Sequence, residues 1–242
     1  MNPPNPPFSR LLLATECSDF DRAAEKMAFT LAQHCQLPLA AVLPMVSNPE
    51  FEALAPEVAM QIDAEAAHKL ARLRQQAADA NIRMNVAVRR GEEAYFAIVE
   101  EARAIACDML IIRRRGKRGF LANVLIGEMV TRVVSHAPCH VLIVPQESAV
   151  WSQGIMVVLN TGDTAASSAH HAFALQNATA IAAQCGLPLH IVRASSYGDV
   201  LRARDNNRSD LIVMQHSTLA QQVIGRSDYP VLVLRHESPT AV

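Results

Sequence analysis

The second half of this 242-residue chain repeats segments of the first half in the same order. Three pairs of segments align: AQHCQLPLAAV (32–42) with AAQCGLPLHIV (182–192), DMLII (108–112) with DLIVM (210–214), and TRVVSHAPCHVLIV (131–144) with QQVIGRSDYPVLVL (221–234). The offset falls from 150 to 102 and then to 90 residues, so the second copy lacks one stretch of 48 residues and another of 12. Such repetition predicts two related domains, a complete one at 8–146 and a truncated one at 154–236.

Within the first domain, short apolar runs alternate with segments of helical periodicity. The apolar runs predict strands buried on both faces, at 10–15, 37–44, 82–91, 108–113 and 140–145. The helical segments lie at 18–35, 56–80, 92–107 and 123–137. This order predicts an α/β fold, namely two tandem, open, parallel, Rossmann-like domains with five strands and four helices in the first. The missing 48 residues contain the counterparts of the second helix and the third strand, so the second domain should lack both.

Composition excludes several classes of protein. The net charge of −1 argues against a dedicated nucleic-acid-binding protein, whose domain would be clearly basic. We expect no export signal, no membrane span and no metal site, because no segment has the required apolar length and the histidines lack zinc-like spacing. The cysteines are odd in number and contain no C-x-x-C pair, which favours free thiols in the cytoplasm: Cys17, Cys35, Cys107, Cys139 and Cys185.

The carboxyl ends of the first-domain strands carry the residues most suited to bind a ligand. In open parallel sheets the ligand crevice lies beyond those ends. Thr15 and Glu16 follow the first strand, and the basic stretch RRRGKRGF begins at Arg113, where the fourth strand ends. Its glycines would let the backbone approach a ligand closely, and the next helix would offer free N–H groups to an anion. The stretch is therefore either an anion site or a loop that is basic because it is solvated.

Two longer segments resemble one known family. LLLATECSDFDRAAEKMA (11–28) resembles the opening strand and helix of universal stress proteins, and GKRGFLANVLIGEMVTRVVSHAPCHVLIVP (116–145) resembles their glycine loop, last helix and last strand. The resemblance covers most of 8–146 and, in truncated form, 154–236. It implies a non-enzymatic stress-response regulator and a site for ATP or AMP. The implied site residues are Ala14, Thr15, Glu16, Val42, Ile112, Arg113, Gly116, Gly119, Gly127, Glu128 and Met129.

The chain departs from the nucleotide-binding pattern of that family at four points. The pattern is glycine, two residues, glycine, nine residues, glycine and then serine or threonine, with an aspartate at the end of the first strand. Here Arg113 replaces the first glycine, ten residues separate Gly116 from Gly127, Glu128 replaces the hydroxyl residue, and Glu16 replaces the aspartate. We therefore expect a degenerate nucleotide site in the first domain.

Two alternatives to a degenerate site stay open. In one, Arg113–Arg115 replace the lost glycine and hydroxyl contacts, and the protein is a competent ATP or AMP sensor. In the other, the protein binds no nucleotide and docks on a protein partner whose identity the sequence does not show. A nucleotide hydrolase is disfavoured, because no serine-glycine phosphate loop follows the first strand. Cys17, beside Glu16, is either redox-active or an unreactive buried thiol.

The last strand of each domain is an apolar sheet edge. Two such edges exposed to water would favour aggregation, so we expect them to pair antiparallel. The family resemblance implies association through this strand. The pairing would form either an intramolecular pseudo-dimer or, between two chains, a homodimer. The residues predicted to pair are Val141, Leu142, Ile143, Val144, Val231, Leu232, Val233 and Leu234.

Overall fold

The computed structural model describes residues 8–46, 54–114, 127–162 and 168–235. The strands are β1 (Leu11–Ala14), β2 (Leu39–Val46), β3 (Met84–Gly91), β4 (Met109–Arg113), β5 (His140–Val144), β6 (Ile155–Asn160), β7 (Leu189–Ala194), β8 (Leu211–Gln215) and β9 (Val231–Leu234). The α-helices are α1 (Arg22–Cys35), α2 (Pro56–Asp79), α3 (Ala94–Ala104), α4 (Glu128–His136), α5 (Ser168–Cys185), α6 (Tyr197–Asn207) and α7 (Thr218–Arg226), and a 3-10 helix at Asp19–Asp21 precedes α1. None of the described helices is long and apolar enough to cross a membrane.

All nine strands form one open sheet in the order β3-β2-β1-β4-β5-β9-β8-β6-β7. Every neighbouring pair is parallel except β5 and β9. The predicted fold class is confirmed, including the loss of one strand and one helix from the second domain. The lost units correspond to β3 and α2. Because β3 is the outermost strand of the first half, deleting its counterpart leaves the pairing of the other strands intact.

Strand alternation divides the core between the two faces of the sheet. Leu11 and Leu13 contribute to the face covered by α1 and α5, while Leu12 and Ala14 contribute to the face covered by α3, α4, α6 and α7. Both apolar layers contain residues of both halves. Trp151, from the connection between the halves, is buried in the first layer, where its Nε1 lies 3.5 Å from the Cys185 sulfur.

The two halves join where the last strands meet. In the antiparallel pair, Val141 lies opposite Val233, Leu142 opposite Leu232 and Ile143 opposite Val231. Every residue of β9 is buried, as are the last four of β5. The pseudo-dimer therefore forms within one chain, and each final strand covers the edge of the other.

An aspartate in each half hydrogen-bonds the backbone of the residues that lead into the first strand of that half. The Asp108 carboxylate accepts hydrogen bonds from the backbone N–H groups of Ser9 (2.7 Å) and Arg10 (3.0 Å). Asp210 accepts corresponding bonds from Ser152 (2.7 Å) and Gly154 (3.1 Å). The repeated aspartate of DMLII and DLIVM thus has the same structural role in both domains.

Candidate functional site

Arg113 is buried at the carboxyl edge of the first domain. Its side chain is 9% exposed. Nη2 donates to Glu16 Oε2 at 2.8 Å, and Nε lies 2.9 Å from Asp21 Oδ1. The guanidinium carbon lies 5.7 Å from the centre of the Phe20 ring, a cation–π contact. The arginine that replaces the first glycine of the family pattern is thus paired with two carboxylates of its own chain.

Asp21, in the 3-10 helix before α1, is the main residue that sequence reasoning missed. It is 1% exposed, and its Oδ2 accepts bonds from the backbone N–H (2.9 Å) and the hydroxyl (2.6 Å) of Ser18. Its other oxygen meets Arg113, so both carboxylate oxygens have partners within the protein. The sequence signal that could have identified it has two parts: acidic residues in the first helical turn after β1, at Asp19 and Asp21, and an arginine at the end of β4.

Thr15 belongs to a second buried polar network. Its hydroxyl donates to Glu25 Oε1 (2.8 Å) and accepts from the backbone N–H of Cys17 (2.8 Å). Arg72 of α2 donates to Glu25 Oε2 (2.6 Å) and to the Cys17 carbonyl (2.7 Å). Burial, and next the negative charge of Glu25, raise the pKa of the Cys17 thiol to about 11, although Arg72 lowers it. Cys17 is therefore a neutral thiol at physiological pH.

The structure brings several other predicted residues to the same crevice. Its described lining includes Ala14, Ile112 and Met129 together with Thr15, Glu16 and Arg113. Val42 is buried in β2, where its carbonyl accepts the Thr15 N–H at 3.1 Å. The cavity between the described lining residues has a volume of about 10 Å³, which is room for about one water molecule. Arg115, Gly116 and Gly119, also predicted to contribute, lie outside the described residues.

Glu128 occupies the first turn of α4, directly after Gly127. Its side chain is 79% exposed and pairs with Arg132, one turn later, at 2.7 Å. Arg132 also pairs with Glu93 at 2.6 Å. A carboxylate here interacts favourably with the helix dipole, and it adds negative charge at a helix N-terminus, a position that otherwise favours anions.

Arg114 connects the two halves. Its Nη1 donates to the carbonyl oxygens of Ser227 (2.6 Å) and Ile224 (3.5 Å), at the C-terminus of α7. Burial lowers the pKa of the guanidinium, and Asp228, 3.8 Å away, opposes that shift. The arginine thereby caps a helix of the second domain, a favourable position for a cation.

The corresponding edge of the second domain carries a cavity of its own. Gln215 holds the position of Arg113 in the aligned strands, and its side-chain amide donates to the His170 carbonyl at 2.8 Å. A cavity of about 380 Å³ lies here, lined by Asn160, Gln215 and His216 and by Ser135 of the first domain. This cavity thus lies in the half whose sequence passes from strand to helix without a glycine loop.

The sequence profile of the universal stress protein family matches residues 7–145. The chain belongs to that family. A comparison with curated proteins gives no match.

Solved structures share the fold of this universal stress protein over both domains. A universal stress protein from Archaeoglobus fulgidus DSM 4304 is 15% identical with a TM-score of 0.73, and the similarity covers 93% of this chain and 98% of that one. Proteins from Pseudomonas aeruginosa UCBPP-PA14 and PAO1 have TM-scores of 0.72 and 0.70 at 16% and 14% identity. The similarity covers 94% of this chain in both cases, and 93% and 92% of theirs. At such identities the likeness shows the fold alone.

Proposed function

We propose that this protein is a non-enzymatic, cytoplasmic regulator of the stress response with a degenerate nucleotide site in its first domain. The observation that carries the proposal is the buried Arg113 guanidinium, 2.8 Å from Glu16 and 2.9 Å from Asp21. A cation of the protein itself stands where the family pattern has glycine. The second domain would serve as a built-in dimerisation partner, and regulation would act through docking on another protein.

Glu16, the residue expected to hold a nucleoside, already has a partner within the protein. Glu16 replaces the aspartate that helps to hold a nucleoside in nucleotide-binding members, and its carboxylate bonds Arg113. A ligand held by Glu16 would have to replace that bond, which would take one of two carboxylate partners from the buried Arg113 guanidinium and leave it with Asp21. Removing a partner from a buried charge is unfavourable.

The phosphate side is also unfavourable to a nucleotide. Glu128 adds a negative charge at the N-terminus of α4, where it would repel a phosphate. A sensor that relies on Arg113–Arg115 would need guanidinium groups directed at the ligand, whereas Arg113 pairs with carboxylates and Arg114 caps α7. Two of its three arginines therefore have other roles.

Nucleotide release and thermal unfolding test the proposal. The purified protein is denatured, the supernatant is analysed for ATP and AMP, and the midpoint of unfolding is followed during ATP titration. A ligand at 100 times its Kd would stabilise the protein by about 2.7 kcal/mol, enough to raise the midpoint by several degrees. We expect no released nucleotide and no shift at millimolar ATP. Released nucleotide or a clear shift would favour the sensor instead.

Matched variants separate the two features that disfavour nucleotide binding, the Glu128 charge and the Arg113 ion pairs. Glu128→Ser removes the repulsive charge, and Glu147→Ser changes an exposed glutamate that is not among the described lining residues of the crevice. We expect neither variant to bind ATP, because the Arg113 ion pairs remain in both. Combining Glu128→Ser with Arg113→Gly and Asp21→Asn, so that the buried Asp21 carboxylate is not left without its cation, should produce detectable binding by equilibrium dialysis. Binding by Glu128→Ser alone would show that charge repulsion, rather than the ion pairs, closes the site.

A further inference from the structure

Two cysteines lie next to each other at the amino edge of the first-domain strands. Cys107 precedes β4 and Cys139 precedes β5, and their sulfur atoms are 3.0 Å apart. Both side chains are buried. The backbone N–H of His140 donates to the Asp108 carbonyl at 3.1 Å, which holds the two strand beginnings together.

We propose that Cys107 and Cys139 are a redox pair that a peroxide converts into a disulfide. Met109 lies opposite His140, so Cys107 and Cys139 are offset by one residue across adjacent strands. With a strand spacing of about 4.8 Å and a rise of about 3.3 Å per residue, such positions have Cα atoms about 6 Å apart, within the range of about 4.4–6.8 Å that disulfides join. The positions of both residues at the beginnings of adjacent strands therefore suit a disulfide without rearrangement of the sheet. All five cysteines are free in the structure.

A small oxidant has a route to the pair. Both cysteines line a cavity of about 530 Å³, with the exposed arginines Arg10, Arg103 and Arg235 among its other lining residues. A peroxide is similar in size to one or two water molecules, each of which occupies about 30 Å³. Arg10 lowers the pKa of Cys107 and so favours the thiolate that attacks a peroxide, whereas Asp108, in the same cavity lining, raises that pKa.

Hydrogen peroxide is the oxidant that takes two electrons from the pair of thiols. One thiolate attacks a peroxide oxygen, so an S–O bond forms, the O–O bond breaks and, after proton transfer, one water leaves. The second sulfur attacks the resulting sulfenic acid, so the S–S bond forms, the S–O bond breaks and a second water leaves. Two thiols and one peroxide give one disulfide and two waters. The hydrogen bond with Cys139 and burial raise the pKa of Cys107 well above its ordinary value. The thiolate is therefore scarce at neutral pH, so oxidation should be slow there and should accelerate as pH rises.

The disulfide would bridge two residues that are 32 apart in the sequence. The enclosed segment contains Arg113, Gly116, Gly119, Gly127 and Glu128. Oxidation would therefore link the two ends of the segment that carries the candidate anion site. A cross-link of this kind stabilises a protein mainly by restricting its unfolded state.

Mass spectrometry of the full chain tests the proposal. The reduced protein is treated with hydrogen peroxide, remaining thiols are alkylated, and the protein is digested with trypsin and a glutamate-specific protease. Trypsin places Cys107 in the peptide 104–113 but leaves Cys139 and Cys185 together in 133–193, and cleavage after Glu147 separates them. We expect a cross-linked peptide, lighter by two hydrogen atoms than the sum of its parts, and a higher unfolding midpoint that returns to its starting value with dithiothreitol.

Single substitutions complete the test. Cys107→Ser and Cys139→Ser should each abolish the cross-link and the shift in midpoint, while Cys17→Ser should retain both. If a serine variant fails to fold, Cys139→Ala provides a second variant, and the peptide map of the unaltered chain still decides the result. Oxidation that leaves Cys107 and Cys139 unlinked in the folded protein, or links them to other cysteines, would overturn the proposal.

Discussion

The Arg113 guanidinium donates to the Glu16 carboxylate at 2.8 Å, although the two residues are 97 apart in the sequence. These residues are two of the four departures from the nucleotide-binding pattern of the family. Each explains the other, because an arginine in place of glycine needs a carboxylate partner, and a glutamate reaches one methylene further than the aspartate it replaces. The two changes thus form one structural unit, which Asp21 completes.

Stability should depend on the Arg113–Asp21 pair. Arg113→Met leaves the carboxylate of Asp21, 1% exposed, without its cation, and we expect a loss of roughly 3 kcal/mol or more in the free energy of unfolding. Asp21→Asn alone should also destabilise the protein. The double variant should lose less than the sum of the two, because the buried carboxylate that lost its cation is removed as well. Urea unfolding of the four proteins measures these energies.

An ion pair on the surface provides the control for this comparison of single and double variants. Arg22 pairs with Asp19 in the same region, but both side chains are more than 70% exposed. Arg22→Met should therefore change stability by no more than about 0.5–1 kcal/mol. Energies for Arg113→Met and Asp21→Asn that add to within about 0.5 kcal/mol would mean that the buried pair is not coupled.

The fold could be predicted from the sequence because its main signals are local. Parallel strands buried on both faces appear as short apolar runs, and the repeat shows which of them correspond. The predicted boundaries differ from the observed ones by a few residues: the predicted helix at 18–35 is a 3-10 helix at Asp19–Asp21 followed by α1 from Arg22. The pairing of the last strands followed from the need to cover two apolar edges.

The sequence predicted which residues lie at the candidate site but not which partners they bond. Position in the fold placed Thr15, Glu16 and Arg113 at one edge, and the structure brings them together. The partners of the arginines could not be predicted, because Arg113 bonds Asp21 and Arg114 bonds Ser227 over separations of about 90 and 113 residues. No local pattern reports a contact between such distant residues.

The cap that Arg114 provides should stabilise the association of the two halves. Arg114→Met removes its bonds to Ser227 and Ile224 at the C-terminus of α7 but keeps most of the apolar stem. We expect a loss of about 1–3 kcal/mol, the usual range for a buried acceptor that loses a charged donor. Arg202→Met, on an exposed pair with Asp199, is a suitable control for urea unfolding. Equal stability of the two variants would show that the cap contributes little.

The repeated aspartates offer a comparison within one molecule. Asp108→Asn and Asp210→Asn each replace a carboxylate that accepts several backbone bonds by an amide with one acceptor oxygen. We expect each change to cost about 1–3 kcal/mol, and the two losses to add, because the sites lie in different domains. Thermal unfolding of the single and double variants tests both expectations. A negligible effect at one site would mean that only the other half depends on this contact.

Cys17 should react slowly with alkylating agents in the folded protein. Burial and Glu25 raise the pKa of its thiol from the ordinary value of 9.0 to about 11, so the thiol is protonated until the solution becomes strongly alkaline. At pH 8 roughly one thiol in a thousand would be the reactive thiolate. The rate of iodoacetamide alkylation, followed at Cys17 by peptide mass spectrometry, should therefore rise steadily between pH 8 and 10. The same cysteine in urea is the control, with a higher rate at pH 8. Equal rates in the folded and unfolded protein at pH 8 would contradict a raised pKa of Cys17.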